Sequence, residues 1–88
     1  MSAQTVAAIR AIYDQVAAPD WAAPNLDGLA DVLRDLSWLP DHPALITLPE
    51  LSELSAEDRA ALLHVLATAV NESIDSPRPV RIRGHDQG

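Results

Sequence analysis

Asp27, Asp31 and Asp35 stand at i, i+4 and i+8, with Arg34 the one base among them. On a helix this spacing stacks three carboxylates along one face, and each like-charged i, i+4 pair opposes the helix by roughly a few tenths of a kcal/mol. Two neighbouring carboxylates such as Asp27 and Asp31 have the right chemistry for general acid and base. That work needs an environment that drives their pKa values apart, and an exposed helix face offers no such cleft. His42, His64 and His85 are far apart and form no metal-ligand spacing. The chain has no Cys, hence no thiolate nucleophile and no disulfide, and it carries no glycine-rich phosphate loop. The reading is therefore no enzyme, no metal and no cofactor. Two uses remain for the carboxylate row: a solvated surface, or a face for a cationic partner. The helix by itself favours the first, because charge on an outer helix face is common.

The row needs an element to hold it, and the stretch Pro19–Leu39 supplies one. A short loop carrying Trp21 runs into Pro24 and Asn25. Asn is a preferred N-cap because its side-chain oxygen accepts from the unpaired amides of the first turn. Leu26, Leu29, Leu33 and Leu36 then recur at i, i+3, i+7 and i+10, an apolar stripe opposite the acids that must meet a core.

Pro19-Asp20-Trp21, then Asn25-Leu26-Asp27-Gly28-Leu29, then Asp31-Val32-Leu33 and Asp35-Leu36-Ser37-Trp38-Leu39 resemble the signature of the barstar family. That signature runs Pro, acid, aromatic, aromatic, Gly, any residue, Asn-Leu-Asp-Ala-Leu, an aromatic, then Asp. The resemblance implies a small intracellular inhibitor that plugs the active site of a secreted bacterial ribonuclease with this loop and helix. It implies that Asp31 enters the phosphate pocket of the nuclease and accepts charge-assisted hydrogen bonds there, with Asp27 as the neighbouring carboxylate. Trp21 takes the place of an aromatic that stacks near the catalytic histidine. Asn25, Leu26 and Gly28 line the same edge, and Asp35 continues the acidic row. On the later helix, Thr68 falls where some members carry an acid that contacts the partner, and Glu72 lies one turn on. Trp21 has a second reading as a plug for the loop, and Trp38, past the helix, reads as core.

Composition agrees with a small acidic binding protein. Eighty-eight residues make one domain, read as residues 1–83 with 84–88 as a flexible tail. The apolar fraction of 48% argues against disorder. With only Trp21, Trp38 and Tyr13 as aromatics, the core must be Leu, Val, Ile and Ala. No signal peptide and no membrane-length apolar run are visible, so a cytoplasmic protein is the simplest reading. The net charge is −7. Residues 1–75 hold twelve acids and three Arg, a balance of −9, and residues 76–88 hold one acid and three Arg, a balance of +2. Such a chain repels nucleic-acid phosphates and attracts basic proteins. A basic protein, such as a nuclease, is the expected partner, with no direct nucleic-acid binding and no membrane.

The remaining elements follow from periodicity. Ser2–Ala17 predicts a helix with Val6, Ile9, Ile12, Tyr13 and Val16 inward, ended by Pro19. Pro40–Pro43 is a rigid turn. Ala44–Leu48 is nearly all apolar and predicts a strand buried on both faces of a parallel sheet. Residues 49–54 are one helical turn or a loop. Ser55 with Asp58 resembles a capping box and opens a helix reaching Ile74, with Leu62, Leu63, Leu66, Ala69 and Val70 as its apolar face and His64 partly buried. Val80–Arg83 alternates and predicts a second strand with its Arg side outward. Strand, helix, strand over 44–83 is a βαβ unit with parallel strands. The fold class is α/β, a small parallel sheet packed with helices, as the resemblance also implies.

The chain departs from the family pattern in several places. The family fold begins with a strand before its first helix, whereas Met1–Thr5 is too short and polar to form one. A trimmed fold, a start that omits upstream residues and a sheet completed by a second chain all stay open, and the last would make a homodimer through the sheet edge. Ala30 stands where the family commonly has Trp, and Ala22, Ala23 and Pro24 replace an aromatic, a Gly and a variable residue. Two functions from different classes follow: an inhibitor of a divergent ribonuclease, or an adaptor or oligomerisation module on the same fold.

Overall fold

A computed structural model describes residues 2–84, folded as three helices and a two-stranded parallel sheet. The elements are α1 (Ala3–Gln15), α2 (Leu26–Asp35), β1 (Ala44–Thr47), α3 (Ala56–Glu72) and β2 (Val80–Arg83). The α/β expectation holds. Residues 85–88, most of the expected tail, lie outside the described residues.

Helix α1 starts at Ser2, whose hydroxyl accepts from Thr5 N at 3.2 Å. It stops at Gln15, four residues before the proline expected to end it. Ala17 enters the left-handed region at φ 52°, and Ala18 N returns to Tyr13 O at 3.0 Å. This C-terminal geometry closes the helix before Pro19 is reached. The inward face is Ile9, Ile12, Tyr13 and Val16 as expected, joined by Ala8 and by a fully buried Thr5, whereas Val6, also expected inward, is only half-buried. Thr5 Oγ1 donates to Asp58 Oδ2 at 2.8 Å, which fastens the start of α1 to the start of α3. The Asp58 of the Ser55 cap is therefore used across the core, while Ser55 Oγ accepts from Asp58 N at 3.1 Å.

Helix α3 ends at Glu72, two residues before the expected Ile74, which lies exposed past the cap. Leu62, Leu66 and Ala69 are buried, whereas Leu63 and His64 are exposed, so His64 is not the partly buried residue that was expected. Ser73 explains the stop. It is buried, donates to Val70 O at 3.3 Å and accepts from Val80 N at 2.8 Å, handing the chain from helix to strand through one hydroxyl.

In the sheet, Ala44 pairs with Val80, Leu45 with Arg81, Ile46 with Ile82 and Thr47 with Arg83. Ala44, Ile46 and Val80 are buried beneath the helices, with Ile82 packed against them. Leu45 is half exposed beside Arg81 and Arg83, so the strand is not buried on both faces as expected. A nearly all-apolar run of five residues cannot show that only one sheet face is covered. Ala44 N and Leu48 N bond to Pro79 O and Arg83 O, so Leu45 and Thr47 turn their backbone groups to the other edge. There the Gln15 side chain takes both groups of Thr47: its Nε2 donates to Thr47 O at 2.8 Å and its Oε1 accepts from Thr47 N at 2.7 Å. One amide thus occupies part of the place of a neighbouring strand.

Candidate functional site

The acidic face is built by α2. Asn25 caps it as expected, its Oδ1 accepting from Gly28 N at 2.7 Å. Leu29, Val32, Leu33 and Leu36 are buried and fix the helix against α1 and α3. Leu36 was expected inside the helix. It is the C-cap instead, held at φ 50°, and its side chain still completes the stripe. With that face inward, Asp27, Asp31 and Asp35 are all exposed. Asp31 and Arg34 approach to 3.5 Å with both side chains about two-thirds exposed, a pair worth little in water. The row is therefore a field of negative charge with one loosely held counter-ion. Asp27 also sits in the first turn, where the helix dipole favours it.

The loop before α2 is braced from beneath. Tyr13 Oη donates to Ala23 O at 2.5 Å, and Asn25 N donates to the same carbonyl at 2.9 Å. Gly28 is buried directly under it. A Cβ on Gly28 would stand 2.2 Å from Ala23 O and 3.0 Å from Tyr13 Oη. Gly28, expected to line this edge, is buried in the brace and offers no side chain to a partner. Burial pushes the Tyr13 phenol above its ordinary value of 10.0, and the charge of Asp31 adds to the push. The phenol is therefore neutral and available as a donor across the physiological range.

Trp21 rides on this braced loop, 59% exposed, and meets Trp38 edge to face with ring centroids 6.1 Å apart. Trp38 is the plug: its Nε1 donates to Val16 O at 2.9 Å and its ring packs against the core. The plug reading of Trp21 falls, since a ring so exposed seals nothing. Arg78 ties down the far side, with Nε donating to Leu39 O at 2.7 Å and a guanidinium nitrogen 2.7 Å from Asp41 Oδ1.

The expected site residues fall into two neighbouring groups. Trp21, Asn25, Leu26, Asp27 and Asp31 gather at the loop and the first turns of α2, with Leu26 half-buried and the others exposed. Asp35, Thr68 and Glu72 line a groove between α2 and α3, an open hollow of about 250 Å³ that also reaches Ala30. Tyr13 and Ala23 carry the brace and were not singled out as site residues. The usable signal for Tyr13 was a lone phenol on a core-facing stripe, which must find an acceptor. Among the described residues, no three His, Cys, Asp or Glu side chains are grouped to hold a metal, and no helix is long and apolar enough to cross a membrane.

Compared with known proteins, the chain matches the family model described as Barstar (barnase inhibitor) over residues 3–84 of its 88. No curated protein and no solved structure matches it.

Proposed function

This chain belongs to the barstar family, and we propose that it inhibits a basic secreted bacterial ribonuclease, acting in the cytoplasm of the cell it protects. The observation that carries the reading is the exposed row Asp27, Asp31 and Asp35 beside an exposed Trp21, on a loop and helix locked by Tyr13 and Asn25. A rigid acidic projection loses little conformational freedom on docking. Asp31 and Asp27 stand in for substrate phosphate, offering carboxylate oxygens to the Arg and His side chains of a nuclease site. Trp21 covers the neighbouring base-stacking surface, while Asn25 and Leu26 frame the contact. Asp35, Thr68 and Glu72 extend it across the groove. The protein performs no chemistry: it excludes RNA by occupying the site. The charge of −7 draws a basic partner in and repels RNA by long-range electrostatic steering.

The test is inhibition of a panel of small secreted microbial ribonucleases, barnase among them, by wild type and Asp31→Ala. Inhibition that is lost in Asp31→Ala supports the reading. Equal inhibition by both proteins sinks the role of Asp31. A second reading, an adaptor or oligomerisation module, draws on the uncovered sheet face with its exposed Leu45. It requires self-association that is indifferent to Asp31→Ala and to salt.

A further inference from the structure

We infer that the groove between α2 and α3 is a partner-selecting pocket that receives an uncharged aromatic side chain from the nuclease. The inference rests on the inhibitor reading for the identity of the partner. The pocket itself stands on its own geometry.

The hollow measures about 250 Å³. A cavity of roughly 150 Å³ lined by aliphatic side chains accommodates benzene, so this one has room for a phenyl or indole ring. Its base is aliphatic, formed by Leu33 and Ala69, both buried, with Val65 beside them. It exists because the facing positions are small. Ala30 on α2 and Thr68 on α3 leave open the space that longer side chains would close. Continuity with the acidic face gives the position of the occupant: Asp35, one turn from Asp31 on the same face, lines the groove itself. A nuclease seated on Asp27 and Asp31 therefore passes over the opening.

Charge decides between an aromatic and a cationic occupant. Arg34 and Arg78 line the groove on the positive side, Asp35 and Glu72 on the negative side, so the formal charge of the lining is zero with His64 neutral. In a chain of net charge −7, this is a neutral hollow next to an acidic row. A Lys or Arg side chain gains more at Asp27 and Asp31 than in the groove. A neutral ring gains an aliphatic base, and a guanidinium at the rim complements its face. Arg78 is already committed to Leu39 O and Asp41, so it borders the hollow without filling it.

The experiment is a methyl NMR titration of the folded full chain with two probes, indole and n-butylguanidinium. It uses wild type and two variants that fill the hollow from opposite walls, Ala30→Trp and Thr68→Leu. Indole is expected to give saturable shifts confined to the methyls of Ala30, Leu33, Val65 and Ala69, and the shifts are lost in whichever filled variant folds. Stronger shifts of the same methyls by n-butylguanidinium at equal concentration overturn the aromatic assignment. Shifts that arise from raising the protein concentration alone assign the groove to a second copy and overturn it too, as does the absence of any indole shift. Against any nuclease that wild type inhibits, Ala30→Trp is expected to weaken inhibition at least about tenfold. Unchanged inhibition overturns the partner assignment even where indole binds. Asp31→Ala, run beside it, reports separately on the inhibitor reading, and the indole arm needs no nuclease at all.

Discussion

Replacing Gly28 by Ala tests the loop brace directly. On an open helix face this change stabilises by about 1 kcal/mol, because Ala has the higher helix propensity and Gly the larger entropy loss. Here the added Cβ lands 2.2 Å from Ala23 O, a backbone atom, and 3.0 Å from Tyr13 Oη. To reach even 3.0 Å, the carbonyl must retreat by about 0.8 Å (3.0 less 2.2). That carbonyl is held by Tyr13 Oη at 2.5 Å and by Asn25 N at 2.9 Å, so the retreat strains or breaks both bonds. Overpacking of this kind opposes folding by about 1–3 kcal/mol, and an unsatisfied buried phenol adds about 1–3 kcal/mol. Offset by the propensity gain, the net expectation is a destabilisation of about 1–5 kcal/mol. For a domain of this size each kcal/mol lowers Tm by roughly 4–8 °C. The assay is a thermal or urea melt of wild type and Gly28→Ala, read together with inhibition of any nuclease that wild type blocks. Inhibition is expected to fall further than stability, because the displaced loop carries Trp21. A variant that is more stable than wild type by about 1 kcal/mol, as on an open helix, would refute the brace.

Three further outcomes are expected. Ser73→Ala leaves the buried Val80 N–H without its acceptor; a loss of about 1–3 kcal/mol in urea unfolding is expected, and a change within about 0.5 kcal/mol, the range of ordinary surface substitutions, would show the bond to be dispensable. Gln15→Ala uncovers the backbone of Thr47 at the sheet edge. It is expected to lose about 1 kcal/mol and to begin concentration-dependent association in sedimentation, so a variant that stays monomeric at every concentration refutes the role of Gln15 as an edge cover. Tyr13 is the single tyrosine, so phenolate absorbance reports it alone. Its folded pKa lies above the unfolded value of 10.0, so the unfolded chain ionises first, and stability is full below that pH and declines as pH rises through the folded value. Asp31→Asn removes one cause of the rise and is expected to shift the folded titration downward; an unmoved curve would show that Asp31 does not act on the phenol.

The face of α2 was readable from residue types because two independent local signals agree there. Asn25 is a cap, and the leucine stripe fixes which side turns inward, which leaves the three Asp outside. The parallel pairing of β1 and β2 was readable too, since a strand, a long helix and a second strand leave few other arrangements. Elsewhere the same kind of signal failed for reasons of tertiary context. Ala44–Leu48 is nearly all apolar, but the sheet is covered on one side, so Leu45 stays out. Pro19 marks a break, but Ala17 makes the break earlier through a left-handed residue that no composition rule foretells. His64 sits between Leu63 and Val65, yet a helix turns about 100° per residue, and sequence neighbours do not share a face. The contact of Tyr13 with Ala23 joins residues ten apart across a loop, and no periodicity spans a loop.

Four of the departures from the family pattern, at Ala23, Gly28, Ala30 and Thr68, look unrelated along the chain, but in space they fall in two places. Ala23 stands where the signature has Gly, and Gly28 where it has Ala. These two residues meet in the fold, with the carbonyl of one against the α-carbon of the other. Read singly, each is a lost match. Read together they are one exchange, in which the small residue has moved from loop to helix while the loop stays packed on it. Ala30, in place of the usual Trp, and Thr68, in place of an acid in some members, also meet, on the two walls of one groove. The first pair keeps the loop held down. The second pair changes what the surface beside the acidic row can accept. On the proposed inhibitor reading, the acidic row and the groove beside it then have separate tasks: the row meets the charge of the nuclease, and the groove selects which nuclease fits.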